Sequence, residues 1–205
     1  MTRIVVWPYH ERFDSSPGER VLEVSTVSRD STLSPFLLGP CQLYPSRLHG
    51  FHVAKNMENA WQFSKVYRHQ LSPAGEPSIE WWSWALAGWR DSTAHRYPMG
   101  KGAVPEYSYW DGQHLDYVQA RKVIYAPLYA EAVRGTVEWV HLLQKFQYGG
   151  YDTIVLRDYD AYDHAAIGMS LTDVLNCPKR KMGHAFVLAM LLTGDQALNQ
   201  LELRN

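Results

Sequence analysis

Two short runs rich in β-branched residues, 4–7 and 21–27, flank the turn cluster Asp14-Ser15-Ser16-Pro17-Gly18 and predict two strands that pair with each other. From 34 to 50, three prolines and two glycines break any period, and the segment reads as loop-rich. Asn56 stands where an N-cap belongs. Met57, Ala60, Trp61, Ser64 and Tyr67 then recur at helical spacing, predicting a helix to about Tyr67 with Glu58 in its first turn. After the break at 72–77, Ser78 can cap a second helix carrying Trp81, Trp82, Trp84, Leu86 and Trp89, whose tryptophans are assigned to the core. Residues 96–110 lack periodicity and read as a long loop. From Asp111 or Gln113, apolar positions from Leu115 to Leu143 predict the longest helical stretch, kinked or split at Pro127. Gly149-Gly150 ends it. Residues 151–157 read as a buried strand, and 179–192 as a helix with Met182, Phe186, Val187, Met190 and Leu191 inward and Gly194 as its stop.

This succession predicts an α+β fold, mainly helical, with a small sheet made from the N-terminal strands and the strand near Val155. No internal repeat or dividing linker is found, so a single domain over 1–205 is expected. A composition of 46% hydrophobic and 20% charged residues excludes a mainly disordered chain. The net charge of -1 excludes a global basic field for non-specific nucleic-acid binding. Cys41 and Cys177 are too few for a disulfide scaffold or a Cys-rich zinc site. The N-terminus is apolar for only a few positions and no window reaches a membrane span, so a cytoplasmic location without a membrane partner is expected.

Glu58, Gln62 and Lys65, spaced by four and three, share one face of the predicted helix. Acid, amide and amine in line can orient hydroxyls, position water and neutralise a phosphate. A solvated face with an intrahelical ion pair fits the same spacing. Asp158, Asp160 and Asp163 follow the predicted strand, where carboxylates can hold Mg²⁺ or perform acid/base work, or form an acidic surface turn. Lys179-Arg180-Lys181 opens the last predicted helix, where basic residues call for an offsetting anion such as phosphate; solvated cations are the plain alternative. His184 on that helix suits a catalytic acid or a satisfied core histidine. Arg96 and Lys101 with Gly100-x-Gly102 can embrace a phosphate, and Tyr107, Tyr109 and Trp110 can stack a base, although core packing claims Trp110 as readily.

Leu33-Ser34-Pro35-Phe36, then Gly50-Phe51-His52, then residues 56–65 with their E-x-x-x-Q-x-x-K pattern at Glu58, Gln62 and Lys65 resemble the opening of the NADAR family. The likeness spans roughly residues 30–70. It implies an α+β protein that hydrolyses N-glycosidic bonds of phosphorylated ribosides or removes ADP-ribose from guanine bases. On this reading Glu58, Asp158 and Asp160 are the catalytic candidates. Asn56, Gln62, Lys65, Lys101, Trp110, Arg180 and His184 would bind a nucleotide or ADP-ribose-like ligand, with no cofactor beyond a candidate Mg²⁺. The family's C-terminal Trp-Gly-x-Gly and Gly-x-Asn-x-Leu-Gly runs have no counterpart here, and the segments around Gly100 and Gly183 look like those of uncharacterised tailed-phage proteins, which would act in the host cytoplasm. Two other readings stand beside the hydrolase: a phage counter-defence protein that sequesters a nucleotide, and a phage enzyme that modifies nucleic-acid bases, with nucleic acid as its partner.

Overall fold

The computed structural model describes residues 2–27, 30–44, 52–195 and 198. In chain order its elements are β1 (Arg3–Pro8), β2 (Val21–Ser25), β3 (Cys41–Leu43), β4 (His52–Ala54), α1 (Met57–Gln62), β5 (Lys65–Val66), α2 (Ile79–Arg90), β6 (Tyr107–Trp110), β7 (Gln113–Leu115), α3 (Tyr117–Ala120), α4 (Ala126–Arg134), α5 (Val137–Tyr148), β8 (Thr153–Asp158), α6 (Leu171–Asn176) and α7 (His184–Thr193). A π-turn, Arg121–Tyr125, joins α3 to α4. The protein is α+β. It divides into two compact units, Met1–Ser34 with Tyr129–Asn205, and Pro35–Leu128.

In the first unit β1, β8 and β2 form a parallel sheet in that order, with Val5 and Glu23 both in register with Val155. The N-terminal strands therefore do not pair with each other, contrary to the sequence expectation. β8 separates them because Ile154, Val155 and Leu156 are wholly buried, which suits a central parallel strand covered on both faces. α7 packs on β1 and β8 and is apolar almost all round, so Ala185 to Met190 are buried without a solvent face.

The expected helix from Lys179 begins only at His184, with Gly183 as its N-cap. Thr136, whose hydroxyl accepts from Trp139 N, starts α5, so the long helical stretch divides at Gly135-Thr136. Pro127 does not divide it. Ala126 N reaches back five residues to Arg121 O, and this wider π-turn just ahead of the proline carries the rod through to Arg134.

The second unit holds an antiparallel pair, β3–β4, and an antiparallel sheet, β5-β6-β7. Asn56 caps α1, its Oδ1 accepting from Asn59 N at 2.8 Å. Met57 N and Glu58 N are taken by Leu38 O and Pro35 O, so the first turn of this helix has its donors satisfied by the preceding segment. Asn59 is a wholly buried hub: its amide nitrogen donates to the carbonyls of Gly88, Asp91 and Thr93, and its oxygen accepts from His95 N. Ser78 caps α2 as expected, and Trp81 Nε1 donates to Lys65 O at 2.9 Å, tying α2 to β5.

Gly88 lies flat against the Phe63 ring, into which a β-carbon would project. Gly88→Ala is therefore expected to lower stability by about 1–3 kcal/mol in urea denaturation, against the gain in helix propensity that alanine brings.

Candidate functional site

α1 ends at Gln62, where Phe63 N donates back to Asn59 O, and Lys65 stands on β5 instead of on the helix. The three residues of the E-x-x-x-Q-x-x-K pattern are nevertheless joined. Gln62 Nε2 donates to Glu58 Oε1 at 2.9 Å, and Lys65 Nζ donates to Gln62 Oε1 at 2.7 Å. The amide thus has a fixed orientation, nitrogen toward the acid and oxygen toward the cation. Glu58 is 6% exposed and Gln62 8%, which removes the solvated-face reading. Lys65 Nζ also lies 4.9 Å from the centre of the Trp61 ring, a cation–π contact. Burial pushes the Lys65 ammonium down to about 8, while the Glu58 carboxylate pulls the other way.

That shift carries a signed consequence for stability. The folded chain releases this proton near pH 8 and the unfolded chain near 10.5, so between those values the unfolded state holds more protons and stability rises with pH. Below about 8 the cost of burying the cation is fully present. Lys65→Met is expected to abolish this rise in stability between about pH 8 and 10.5, as read by thermal denaturation across pH.

Residues outside the sequence candidates complete this neighbourhood. Trp61, read as part of the apolar stripe, is half-buried, and its ring centre is 5.2 Å from that of Tyr125 and 6.5 Å from that of Tyr117. Arg121 is 2% exposed and places its guanidinium 4.5 Å over the Tyr117 ring. Tyr117, Arg121 and Tyr125 recur every fourth residue just ahead of Pro127, a spacing that was legible as one helical face with an arginine between two aromatics.

The other candidates of this unit do different work. Asn56, 3% exposed, spends its side-chain oxygen on the helix cap. Lys101 is exposed on a turn between Gly100 and Gly102, both at positive φ. Trp110 is 3% exposed on β6, with its ring 5.1 Å from Tyr44 in an aromatic core that includes Trp81, Trp89 and Tyr109. Its burial leaves packing, not base stacking, as its role.

The second constellation is in the first unit. Asp158, 3% exposed at the end of β8, accepts from Ala185 N at 3.1 Å through Oδ2, and the same oxygen lies 3.2 Å from His184 Nδ1. Its Oδ1 accepts from Asp160 N at 3.4 Å. The His184 Nε2 donates to Thr26 O at 2.9 Å. Both ring nitrogens thus face acceptors, Nδ1 the Asp158 carboxylate and Nε2 the Thr26 carbonyl. The anion expected at this helix N-terminus is therefore the protein's own Asp158 side chain. Gly183 allows the approach, since a β-carbon there would run into Asp158 Oδ2. Tyr129, buried beside this pair, has its hydroxyl pushed well up by burial and by the Asp158 charge, and it donates to Leu33 O at 2.6 Å.

Asp160 is half-buried and 3.6 Å from Lys181 Nζ, while Asp163 accepts from Ala166 N in a turn. Among the described residues no three His, Cys, Asp or Glu side chains gather as a metal-binding group, so the Mg²⁺ suggested by the three aspartates finds no ligand set there. Lys179, Arg180 and Lys181 are exposed in the segment before α7, not within it, and the Arg180 guanidinium lies 5.1 Å from the Tyr162 ring centre. Gly50 and Phe51, part of the motif noted above, lie outside the described residues.

Comparison with protein-family models, curated proteins and solved structures gives no match for this chain. Among the described residues no helix is long and apolar enough to cross a membrane.

Proposed function

We propose that this protein is a NADAR-like hydrolase of the cytoplasm that cleaves the N-glycosidic bond of a nucleotide or ADP-ribose-like ligand. The observation that carries this reading is the buried chain from Glu58 through Gln62 to Lys65, because a carboxylate, an oriented amide and an amine held down to about 8 are costly to bury and exceed what packing needs. Cleavage of a riboside passes through an oxocarbenium-like state. The C1′–N bond breaks with its electron pair leaving on the base, a water oxygen joins C1′, and the base takes up a proton. Glu58 offers negative charge to that state and accepts the proton of the attacking water. Gln62 orients the water or the ribose, and Lys65 holds a phosphate oxygen while it is charged.

Asp158 is assigned to structure, since its oxygens hold Ala185 N and Asp160 N and face His184, and Glu58 is taken as the base. Asp160, beside Lys181, is left without a role in this mechanism. The test is mass spectrometry of purified protein incubated with NAD, ADP-ribose, nucleoside monophosphates and ADP-ribosylated DNA. Release of a free base or a ribose product is expected. Recovery of every compound unchanged would overturn the hydrolase, and tight capture without change would point to sequestration.

A further inference from the structure

Five aromatic or cationic groups form a continuous series that starts from the Glu58–Gln62–Lys65 chain: Lys65 over Trp61, Trp61 beside Tyr125 and Tyr117, and Arg121 over Tyr117. Arg121 at 2% and Tyr125 at 8% exposure are buried, Lys65 and Trp61 are half-buried, and Tyr117 is 46% exposed. An exposed tyrosine is ordinarily mobile. This one is held at both ends: its backbone is the first residue of α3, fixed by the reciprocal cap between Asp116 and Gln119, and its ring rests on a buried guanidinium.

We propose that Tyr117, with Trp61 beside it, is the platform on which a planar heterocyclic base of the ligand stacks. The inference rests on the hydrolase site described above and specifies its base-binding part. A ring already immobilised by Arg121 loses little further freedom when a base covers it, which favours binding. A cation under one face draws electron density from the ring, so the opposite face suits an electron-rich heterocycle. Trp61 touches both Lys65 and Tyr117, which sets the platform one ring away from the groups assigned to phosphate and ribose. Because aromatic faces accept any base, hydrogen bonds from elsewhere would be needed to choose among bases.

The test compares adenosine 5′-monophosphate with ribose 5-phosphate by calorimetry on the full-length chain. The wild-type protein is expected to bind the nucleotide about tenfold more tightly or better. Tyr117→Ala should erase that preference without changing the affinity for ribose 5-phosphate, and Tyr117→Phe, which keeps the ring over Arg121, should retain it. Equal binding of the two probes by the wild type, binding of neither at millimolar concentration, or a preference that survives Tyr117→Ala would each overturn the platform. A preference that depends on Tyr117 in a protein that releases no base from any riboside would sustain the platform and remove the hydrolysis. Base release with a Tyr117-independent preference would do the reverse.

Discussion

Glu58→Gln is expected to lower kcat for release of the free base by a factor of about 10²–10³ while leaving the folded structure in place. Glutamine fills the same volume, and its side-chain oxygen can still accept the hydrogen bond that Gln62 Nε2 now gives to Glu58 Oε1, so that contact survives the loss of charge. Two effects add. On the proposed mechanism the oxocarbenium-like state loses the negative charge assigned to stabilise it, and the attacking water loses its proton acceptor. A second readout separates chemistry from packing. The Glu58 carboxylate supports the charged form of Lys65, so its removal moves that titration further below about 8. On the proposed mechanism, KM of the wild-type protein for a phosphorylated ligand should rise as pH passes through about 8, because Lys65 loses the charge assigned to phosphate; in Glu58→Gln the same limb should appear at lower pH. Wild-type kcat in this variant would remove Glu58 from the mechanism.

Why the sequence read some of this and not the rest is a matter of which forces are local. Helix starts were legible because caps are local chemistry: Asn56 and Ser78 each accept from the backbone three residues on, as their positions before apolar runs suggested. The core strand at Val155 was legible from its continuous apolar run. The order β1-β8-β2 was not, because it pairs residues about 130–150 positions apart and depends on which strand can be covered on both faces. β6 and β7 were read as loop and helix, although Asp111-Gly112 between them, both at positive φ, is a local hairpin turn that this reading passed over. At the site the deciding contact is again non-local. The period of α1 continues in the sequence past Gln62, yet Trp81 Nε1 captures Lys65 O and the chain turns into β5, a tertiary contact that no periodicity contains. That turn still leaves the lysine within reach of Gln62, so the grouping of the three side chains was legible even where the secondary structure was not.

Asp158→Ala is expected to destabilise the first unit by about 3–5 kcal/mol, the largest stability effect anticipated for a single side chain here. Against a total of about 5–15 kcal/mol for a typical domain, this would leave a substantial unfolded fraction. The magnitude follows from how many partners lose their counterpart at once. Ala185 N at the start of α7 loses its acceptor, Asp160 N loses another, and His184, 5% exposed, keeps Thr26 O on one nitrogen with nothing facing the other. Water cannot easily repair the loss at sites this deeply buried. Asp158→Asn distinguishes charge from shape, since an amide oxygen can still cap Ala185 N but brings no negative charge to the imidazole; an intermediate loss of about 1–2 kcal/mol is expected from it. Urea denaturation followed by far-UV circular dichroism gives both values. An Asp158→Ala midpoint equal to that of the wild type would mean that the carboxylate does not hold α7 to the sheet, and would return Asp158 to consideration as a group kept for chemistry.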